Sequence, residues 1–480
     1  MEKAVKFLMS ILSMTCLLLI CCEPVRSEAI HRPNVIIILT DDQGYQDLGC
    51  FGSPKIKTPC IDRMAEEGIR LTDFYVGASV CSASRASLLT GRMPARHGVG
   101  TAFFPGDGSM PTNEATIAEL LKEAGYRTAC FGKWHLGDEN ESVLPTGQGF
   151  DEYFGIPYSN DMYINPNHAF AVDTLFAFDY DKTKALADQD SVRELKRTKK
   201  KFDDYLKQGV AKKVPLFEGV KIVEYPADQA TLTLRYFDRA IDFVEKSQDQ
   251  PFFIYLTPAM PHVPLFASED FAGKSERGLY GDVIEEIDFH TGRLLDHLRH
   301  SNRRNRTIVI FTSDNGPWLR KGNRSGCAIP LRDGKFTTYE GGVRMPCVMW
   351  WPGNWRPGSV SDQVISAMDL MPTIAHYAGA RMPKVPLDGF NIANHLETPQ
   401  TPVKRKYLYY TKGRKLSGVR RGDWKYLRHG GSMHQSSKNG PELYNLRDDV
   451  GERNNVAKSN PELIEQLEQE LRRFEMTMTD

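Results

Sequence analysis

The chain has 480 residues, is 41% hydrophobic, and carries 61 basic and 61 acidic side chains for a formal net charge of zero. That length accommodates one large α/β domain plus a smaller one, with a substantial core. The neutral balance excludes nucleic acid and anionic membranes as partners recognised through bulk charge, so any anion must be met by a local site.

The N-terminus reads as a targeting segment. MEKAVKF supplies two lysines, LMSILSMTCLLLICC is an apolar run of signal-peptide length, and PVRSEA places Val25 and Ser27 at the −3 and −1 positions of a cleavage site. Residues 1–27 are therefore expected to be a removed leader, and the mature chain to be periplasmic or secreted. The run is short for a stable membrane span. Of nine cysteines, loss of Cys16, Cys21 and Cys22 leaves six. Cys50 and Cys60 bracket CFGSPKIKTPC and are able to pair in an oxidising compartment; Cys130, Cys327 and Cys347 give no framework.

Four apolar runs then stop at polar residues. NVIIIL ends in TDDQG, YRTACFG in KWHLG, PFFIYLTPAM in PHVPL, and TIVIFT in SDNGP. Continuous runs of this length suit strands buried on both faces of a parallel sheet. Helical patterns lie between them: CIDRMAEEGI, TIAELLKEAG, TLTLRYFDRAIDFVEKS and VIEEIDFHTGRLLDHLRH. Gly68 and Gly125 sit where helix C-caps belong. The alternation predicts an α/β fold, a large mostly parallel sheet sandwiched by helices, over about residues 30–400. Residues 180–222 are Lys- and Asp-rich and read as a solvated insertion with some helix. From 401 to 480 short β-like runs and a final helix, PELIEQLEQELRRFEM, predict a small antiparallel sheet plus helix.

In such folds ligands lie outside the carboxyl ends of the strands. Asp41, Asp42, Lys133, His135, His262, Asp314 and Asn315 would therefore converge on one mouth. Three carboxylates and an amide oxygen suit Ca²⁺ or Mg²⁺ rather than zinc. Lys133, Lys335, His135, His262 and Arg85 add positive charge, and a divalent cation ringed by cations is built for a tetrahedral oxyanion, phosphate or sulfate. Taken singly each residue has an ordinary structural explanation: a turn aspartate, a packed loop histidine, a snorkelling lysine. Cys81, heading CSASRASLLTGR, does not fit as a thiolate beside hard-oxygen ligands. By itself it remains a core cysteine, half of a disulfide, a nucleophile or a precursor.

CSASRASLLTGR resembles the signature of the type I sulfatases, the formylglycine-dependent arylsulfatase family of the alkaline-phosphatase-like superfamily. The resemblance extends from residue 33 to about 460. NVIIILTDDQGYQDLGCFG resembles the family's first metal-binding segment, and YRTACFGKWHLG its lysine–histidine segment. GFDEYFGIPYSND is similar to the segment with the active-site serine, here Ser159. VIFTSDNGP and LRDGKFTTYEGGVRMPCVMWWPG resemble the second metal-binding segment and the lysine after it. The resemblance implies that a maturation enzyme oxidises Cys81 to formylglycine (3-oxoalanine), and that position 81 joins Asp41, Asp42, Asp314 and Asn315 around one Ca²⁺, with Mg²⁺ as the alternative. It implies that a hydroxyl of the hydrated aldehyde attacks sulfur, that Lys133, Ser159, His262 and Lys335 bind the sulfate group, that His262 or Lys335 protonates the departing alcohol, that His135 accepts a proton, and that Arg85 orients the nucleophile. The expected substrate is a sulfate ester, of a carbohydrate by preference, with Phe103, Phe104, Trp318 and Arg320 at the rim. The sequence departs from the pattern at Ala83, where the family usually has proline, and at Phe336, where relatives often carry a small residue. A phosphate or phosphonate ester hydrolase of the same fold, and a catalytically silent sulfated-glycan binder, are the rival readings.

Overall fold

The computed structural model describes residues 32–200, 202–433 and 440–478; the expected leader lies outside the described residues. Every residue of β1 (Asn34–Thr40) is buried. Val35, Ile37 and Leu39 enter one apolar cluster and Ile36 and Ile38 the other, so the period-2 alternation of a strand puts both faces into core. β1 pairs in parallel with β9 (Thr307–Ser313) on one side and β8 (Phe252–Thr257) on the other. β8 pairs in parallel with β3 (Arg127–Gly132), and β3 with β4 (Glu152–Gly155). Five adjacent strands, β9-β1-β8-β3-β4, therefore point the same way: the four apolar runs form β1, β3, β8 and β9, and β4 adds a fifth.

The sheet is mixed at its flanks. β10 (Arg344–Trp350) runs antiparallel to β9 and to β2 (Ile69–Tyr75), and β2 takes β11 (Ser359–Ser361) and β12 (Ile365–Ser366) on its far side. Beyond β4 come β6 (Leu216–Glu218), β7 (Lys221–Tyr225) and β5 (Phe170–Phe176). The Lys-rich segment is thus more than a solvated insertion. It carries a helix at Lys182–Arg197, N-capped by Asp181, and its end supplies β6 and β7 to the main sheet.

Helices Pro59–Glu67, Leu232–Lys246 and Leu279–His300 cover one face, and Cys81–Thr90, Ile117–Glu123 and Leu370–Ala378 the other. Gly125 has the left-handed φ of +86° expected past a helix end, but Gly68 does not; a Cβ there would overlap the Met349 carbonyl oxygen, so close packing on β10 is what calls for glycine. Cys50 and Cys60 do not pair. The Cys60 sulfur sits under Gly292 of the long helix, while the Cys50 amide is held by Asp62 at 2.7 Å. A second, antiparallel sheet of β13 (Leu408–Lys412), β14 (Lys415–Arg421), β15 (Trp424–Leu427) and β16 (Glu442–Asn445) packs with Leu467 and Leu471 of helix Pro461–Met476.

Candidate active site

The five parallel strands end together. Asp41 and Asp42 follow β1, Lys133 and His135 follow β3, Ser159 follows β4, His262 follows β8, and Asp314 and Asn315 follow β9. All eight side chains are buried. Backbone strain concentrates here: Asp42 (φ 62°), His135 (φ 60°), and Asp333 and Phe336 on either side of Lys335 (φ 59° and 68°) adopt left-handed conformations without being glycine. Gly132, before Lys133, has φ 120° and lies so close to the Thr257 carbonyl that a side chain would not fit.

Cys81 opens helix Cys81–Thr90, whose ten residues are all buried. Ser and Ala fill its positions because neighbouring chain approaches closely; a Cβ on Gly77 would overlap Ser87. Ala83 lies in the first turn, where amide hydrogens have no intrahelical acceptor, so alanine in place of proline loses nothing from the folded helix. The Cys81 sulfur is 3.5 Å from Lys335 Nζ, and it lies with oxygens of Asp41 and Asp42 in a set whose ligand atoms are all within 4.8 Å of one another.

The charges interlock. Arg85 Nε and Nη2 approach Asp314 Oδ2 at 2.9 and 2.8 Å, and Nη1 donates to the Lys133 carbonyl at 3.0 Å. Lys133 Nζ pairs with Asp41 and lies 3.4 Å from Ser159 Oγ; Lys335 Nζ is 2.6 Å from Asp42 Oδ1. Three carboxylates thus face three fixed cations. Burial pushes Asp314 up to about 7, reinforced by the charge of Asp41. Burial also raises Asp42, whereas for Asp41 burial is outweighed by Lys133, His262 and Arg85, and its carboxyl is held below the usual range. Burial lifts the Cys81 thiol to about 11, so an unmodified cysteine is a neutral thiol here and a poor nucleophile.

Both histidines are held below their ordinary range. Burial, with Lys335, lowers His262 to about 4; burial, with Lys133, holds His135 well below its ordinary value. His262 Nδ1 is engaged by the Val263 carbonyl at 2.6 Å, with Asn160 Oδ1 and Ser159 Oγ at 3.1 and 3.2 Å, and Nε2 lies 3.7 Å from Asp42 Oδ2. His135 is apart from this network. Its Nε2 meets the Phe103 carbonyl at 3.1 Å, its ring packs edge-on against Tyr158, and its Nδ1 is buried without a hydrogen-bond partner among the described residues.

Of the rim residues, Trp318 packs against His262 and edge-on to Phe336, with Lys335 Nζ 5.1 Å from its ring centre. Phe104 packs on Phe202, and Arg320 is exposed. Two residues escaped the sequence reading. Asn160 donates to the Val263-side carbonyls of His262 and Pro264 at 3.3 and 2.8 Å, and its position beside Ser159 was the available signal. Asp138, three residues after His135, is buried and binds Gly106 N, Asn165 Nδ2 and His168 Nε2, anchoring the loop that carries Phe103.

The residues present fit a hard divalent cation. The donors are oxygens, and two of them, Asp41 Oδ1 and Asn315 Oδ1, are buried and accept no hydrogen bond among the described residues, while Asn315 Nδ2 is turned to Asp42 Oδ1 at 2.7 Å. A mostly parallel sheet whose carboxyl ends gather carboxylates beside buried lysines and histidines, with a small antiparallel sheet beyond it, is the alkaline-phosphatase-like fold.

The chain belongs to the sulfatase family, enzymes that hydrolyse sulfate esters: the family profile matches residues 33–380, and a profile described as N-sulphoglucosamine sulphohydrolase, C-terminal, matches residues 332–477. It is 37% identical over 471 residues to arylsulfatase A of Homo sapiens, covering 92% of this chain and 87% of that protein. It is 36% identical over 411 residues to N-acetylgalactosamine-6-sulfatase of Homo sapiens, covering 83% and 72%. Among solved structures it resembles Ps i-CgsB, determined in complex with k-i-k-neocarrahexaose, with a TM-score of 0.72, 31% identity and 92% of each chain covered. Sulfatases generally use formylglycine and a divalent cation. Among the described residues no helix is long and apolar enough to cross a membrane.

Proposed function

We propose that this sulfatase acts on sulfate esters of carbohydrates, with Cys81 converted to formylglycine by a maturation enzyme and one Ca²⁺ held by Asp41, Asp42, Asp314, Asn315 and the modified residue 81. The observation that carries the reading is the Cys81 sulfur at the head of a wholly buried helix, 3.5 Å from Lys335 Nζ and beside Asp41 and Asp42. The carbohydrate preference is supported by the sugar sulfatase among the relatives and by the oligosaccharide bound to Ps i-CgsB. Export to the periplasm or exterior is supported by residues 1–27.

When bound, the cation supplies Lewis acidity and a template, and the hydrated aldehyde supplies an oxygen nucleophile that can be regenerated. The chain's own residues bind, orient and move protons. Lys133 and Lys335 neutralise Asp41 and Asp42; with those carboxylates engaged by a cation, both ammonium groups are available to sulfate oxygens. Ser159 Oγ, next to Lys133 and His262, adds a hydroxyl donor. His135 has the tautomer of a proton acceptor, since Nε2–H is taken by the Phe103 carbonyl and the Nδ1 lone pair is free. For His262, Nδ1–H is taken by the Val263 carbonyl, which turns Nε2 to the pocket. A bound anion favours the imidazolium there, and Nε2–H or Lys335 Nζ then protonates the departing alcohol. Arg85 positions Asp314.

The test is mass analysis of the peptide containing position 81, paired with turnover of sugar sulfate, aryl sulfate and aryl phosphate. The expected result is a thiol-to-aldehyde mass loss, with sulfate turnover proportional to the converted fraction. Full turnover by unmodified Cys81, or faster cleavage of phosphate than of sulfate, would overturn it.

A further inference from the structure

A cavity of about 510 Å³ lies on the second sheet and is lined by Lys412, Arg414, Lys415, Arg428, Met433 and one carboxylate, Glu475, among others. Arg428 is neutralised, its guanidinium paired with Glu468 and Glu475 at 3.0 and 2.7 Å. Lys412, Arg414 and Lys415 differ: among the described residues none is in an ion pair, and Lys412 Nζ donates only to the His429 carbonyl, at 3.2 Å. Glu442, which acts on Lys412 from a distance, accepts from Tyr339 and Tyr444. Residues 434–439, HQSSKN, contain no carboxylate. In a chain of zero net charge, three cations that make no ion pair among the described residues, around one concavity, are a local positive site.

Residues of the cavity wall touch segments of the active site. Ser432 bridges to Thr337, and Met433 N donates to the Phe336 carbonyl at 2.9 Å, directly after Lys335. Met433 sulfur also lies 3.4 Å from Ser79 Oγ, two residues before Cys81. On the other side Arg414 packs on Gly100, where a Cβ would overlap it, and that loop continues to Phe103, whose carbonyl holds His135. The segments that carry Phe103 and Phe336 to the site are thus in contact with residues that line the cavity.

We infer that this cavity is a second anion-binding subsite, gripping a further sulfate or carboxylate group on the same glycan whose sulfate ester meets Cys81. The inference rests on the carbohydrate reading above. A cleavable sulfate fills the buried pocket, and a polyanionic chain leaving it along the second sheet meets the half-buried Lys412 and the exposed Arg414 and Lys415, which suit a hydrated, flexible partner.

The full chain carrying Cys81→Ala, which cannot turn over, is titrated with dextran sulfate and with uncharged dextran, alongside the same protein bearing Lys412→Gln, Arg414→Gln and Lys415→Gln. The triple substitution is expected to weaken dextran sulfate binding about ten-fold and to flatten its salt dependence, with no binding of uncharged dextran to either protein. In matured enzyme the ratio of kcat/KM on a polysulfated to a monosulfated substrate falls by a similar factor. Equal dextran sulfate affinity and equal salt slopes in the two proteins would overturn the subsite. Should the triple variant fail to fold, Arg414→Gln alone, on an exposed turn, carries the comparison with an expected loss of about two-fold. An enzyme that cleaves aryl sulfate but no sugar sulfate would refute the carbohydrate reading, while dextran sulfate affinity still judges the cavity.

Discussion

Lys425 Nζ lies 2.8 Å from Glu340 Oε1, and both side chains are wholly buried. Lys425 stands on β15, whereas Glu340 opens the short helix Glu340–Val343, five residues after Lys335. The pair ties the second sheet to the segment that delivers a site lysine. Glu452 meets Lys425 at 2.9 Å, Arg344 meets Glu340 at 3.4 Å, and Arg420 meets Asp73 at 3.1 Å, so the junction is a charge network rather than a greasy seam. Such a network holds only while each buried charge keeps its partners.

Lys425→Met should therefore destabilise the fold by ~3–5 kcal/mol, because two buried carboxylates lose their shared ammonium. Denaturant titration reads the loss. Adding Glu340→Leu and Glu452→Leu should recover part of it, and a single-variant cost under ~1 kcal/mol would show that the junction holds by other means.

The same network predicts a pH dependence. For Glu340, burial is outweighed by Lys425, Arg344 and Arg420, which hold its pKa at about 2 against an ordinary 4.5. Its contribution is present above pH 4.5 and is lost as the pH falls towards 2. Glu452 is pushed up to about 7 by burial, with the charge of Glu340 adding to it. Its contribution is complete below pH 4.5 and disappears as the pH rises through 7, by at most ~1.4 kcal/mol per unit. Glu452→Gln should flatten stability between pH 5 and 7 and leave the acid limb in place; parallel curves for the two proteins would refute this.

Arg85→Lys keeps a charge but cannot span Asp314 and the Lys133 carbonyl together. We expect kcat to fall ~100-fold in matured enzyme, with KM changing less, because the loss falls on the positioning of reacting groups. A kcat within a few-fold of the parent would reduce Arg85 to a space-filling role.

Cys81→Ala should abolish turnover. Cys81→Ser should allow at most one slow sulfation per molecule, since a serine sulfate lacks the second hydroxyl that expels sulfate. Mass detection of a covalent sulfate on the serine variant checks this, and repeated turnover by that variant would contradict it.

Chelation should remove activity and lower Tm, and Ca²⁺ should restore both, more effectively than Mg²⁺. The Tm response should vanish in Asp42→Asn/Asp314→Asn, whose remaining oxygens carry too little charge to hold the ion. A calcium-dependent Tm shift in that double variant would move the ligand set elsewhere.

Much of this site was legible in the chain. Apolar runs buried on both faces of a parallel sheet end in polar residues at its carboxyl edge, so TDDQG, KWHLG, PHVPL and SDNGP belong to one mouth on sequence grounds alone. Cys81 was legible only through resemblance to a family signature, because nothing in the residue itself distinguishes a precursor from a core thiol. Asn160 and Asp138 were less visible: each acts by holding another residue, and a holding role has no compositional mark.

The sequence by itself determined the strands, their polar ends and the chemical type of the donors, since these follow from local periodicity and side-chain chemistry. The tertiary structure alone decided the rest. It separated Cys50 from Cys60, turned the end of the Lys-rich insertion into sheet, joined Lys425 to Glu340 across 85 residues, and left Lys412, Arg414 and Lys415 without an ion pair among the described residues. Whether a charge is paired or free depends on which distant segments pack beside it, and that is fixed by burial of the whole core rather than by neighbours in the chain.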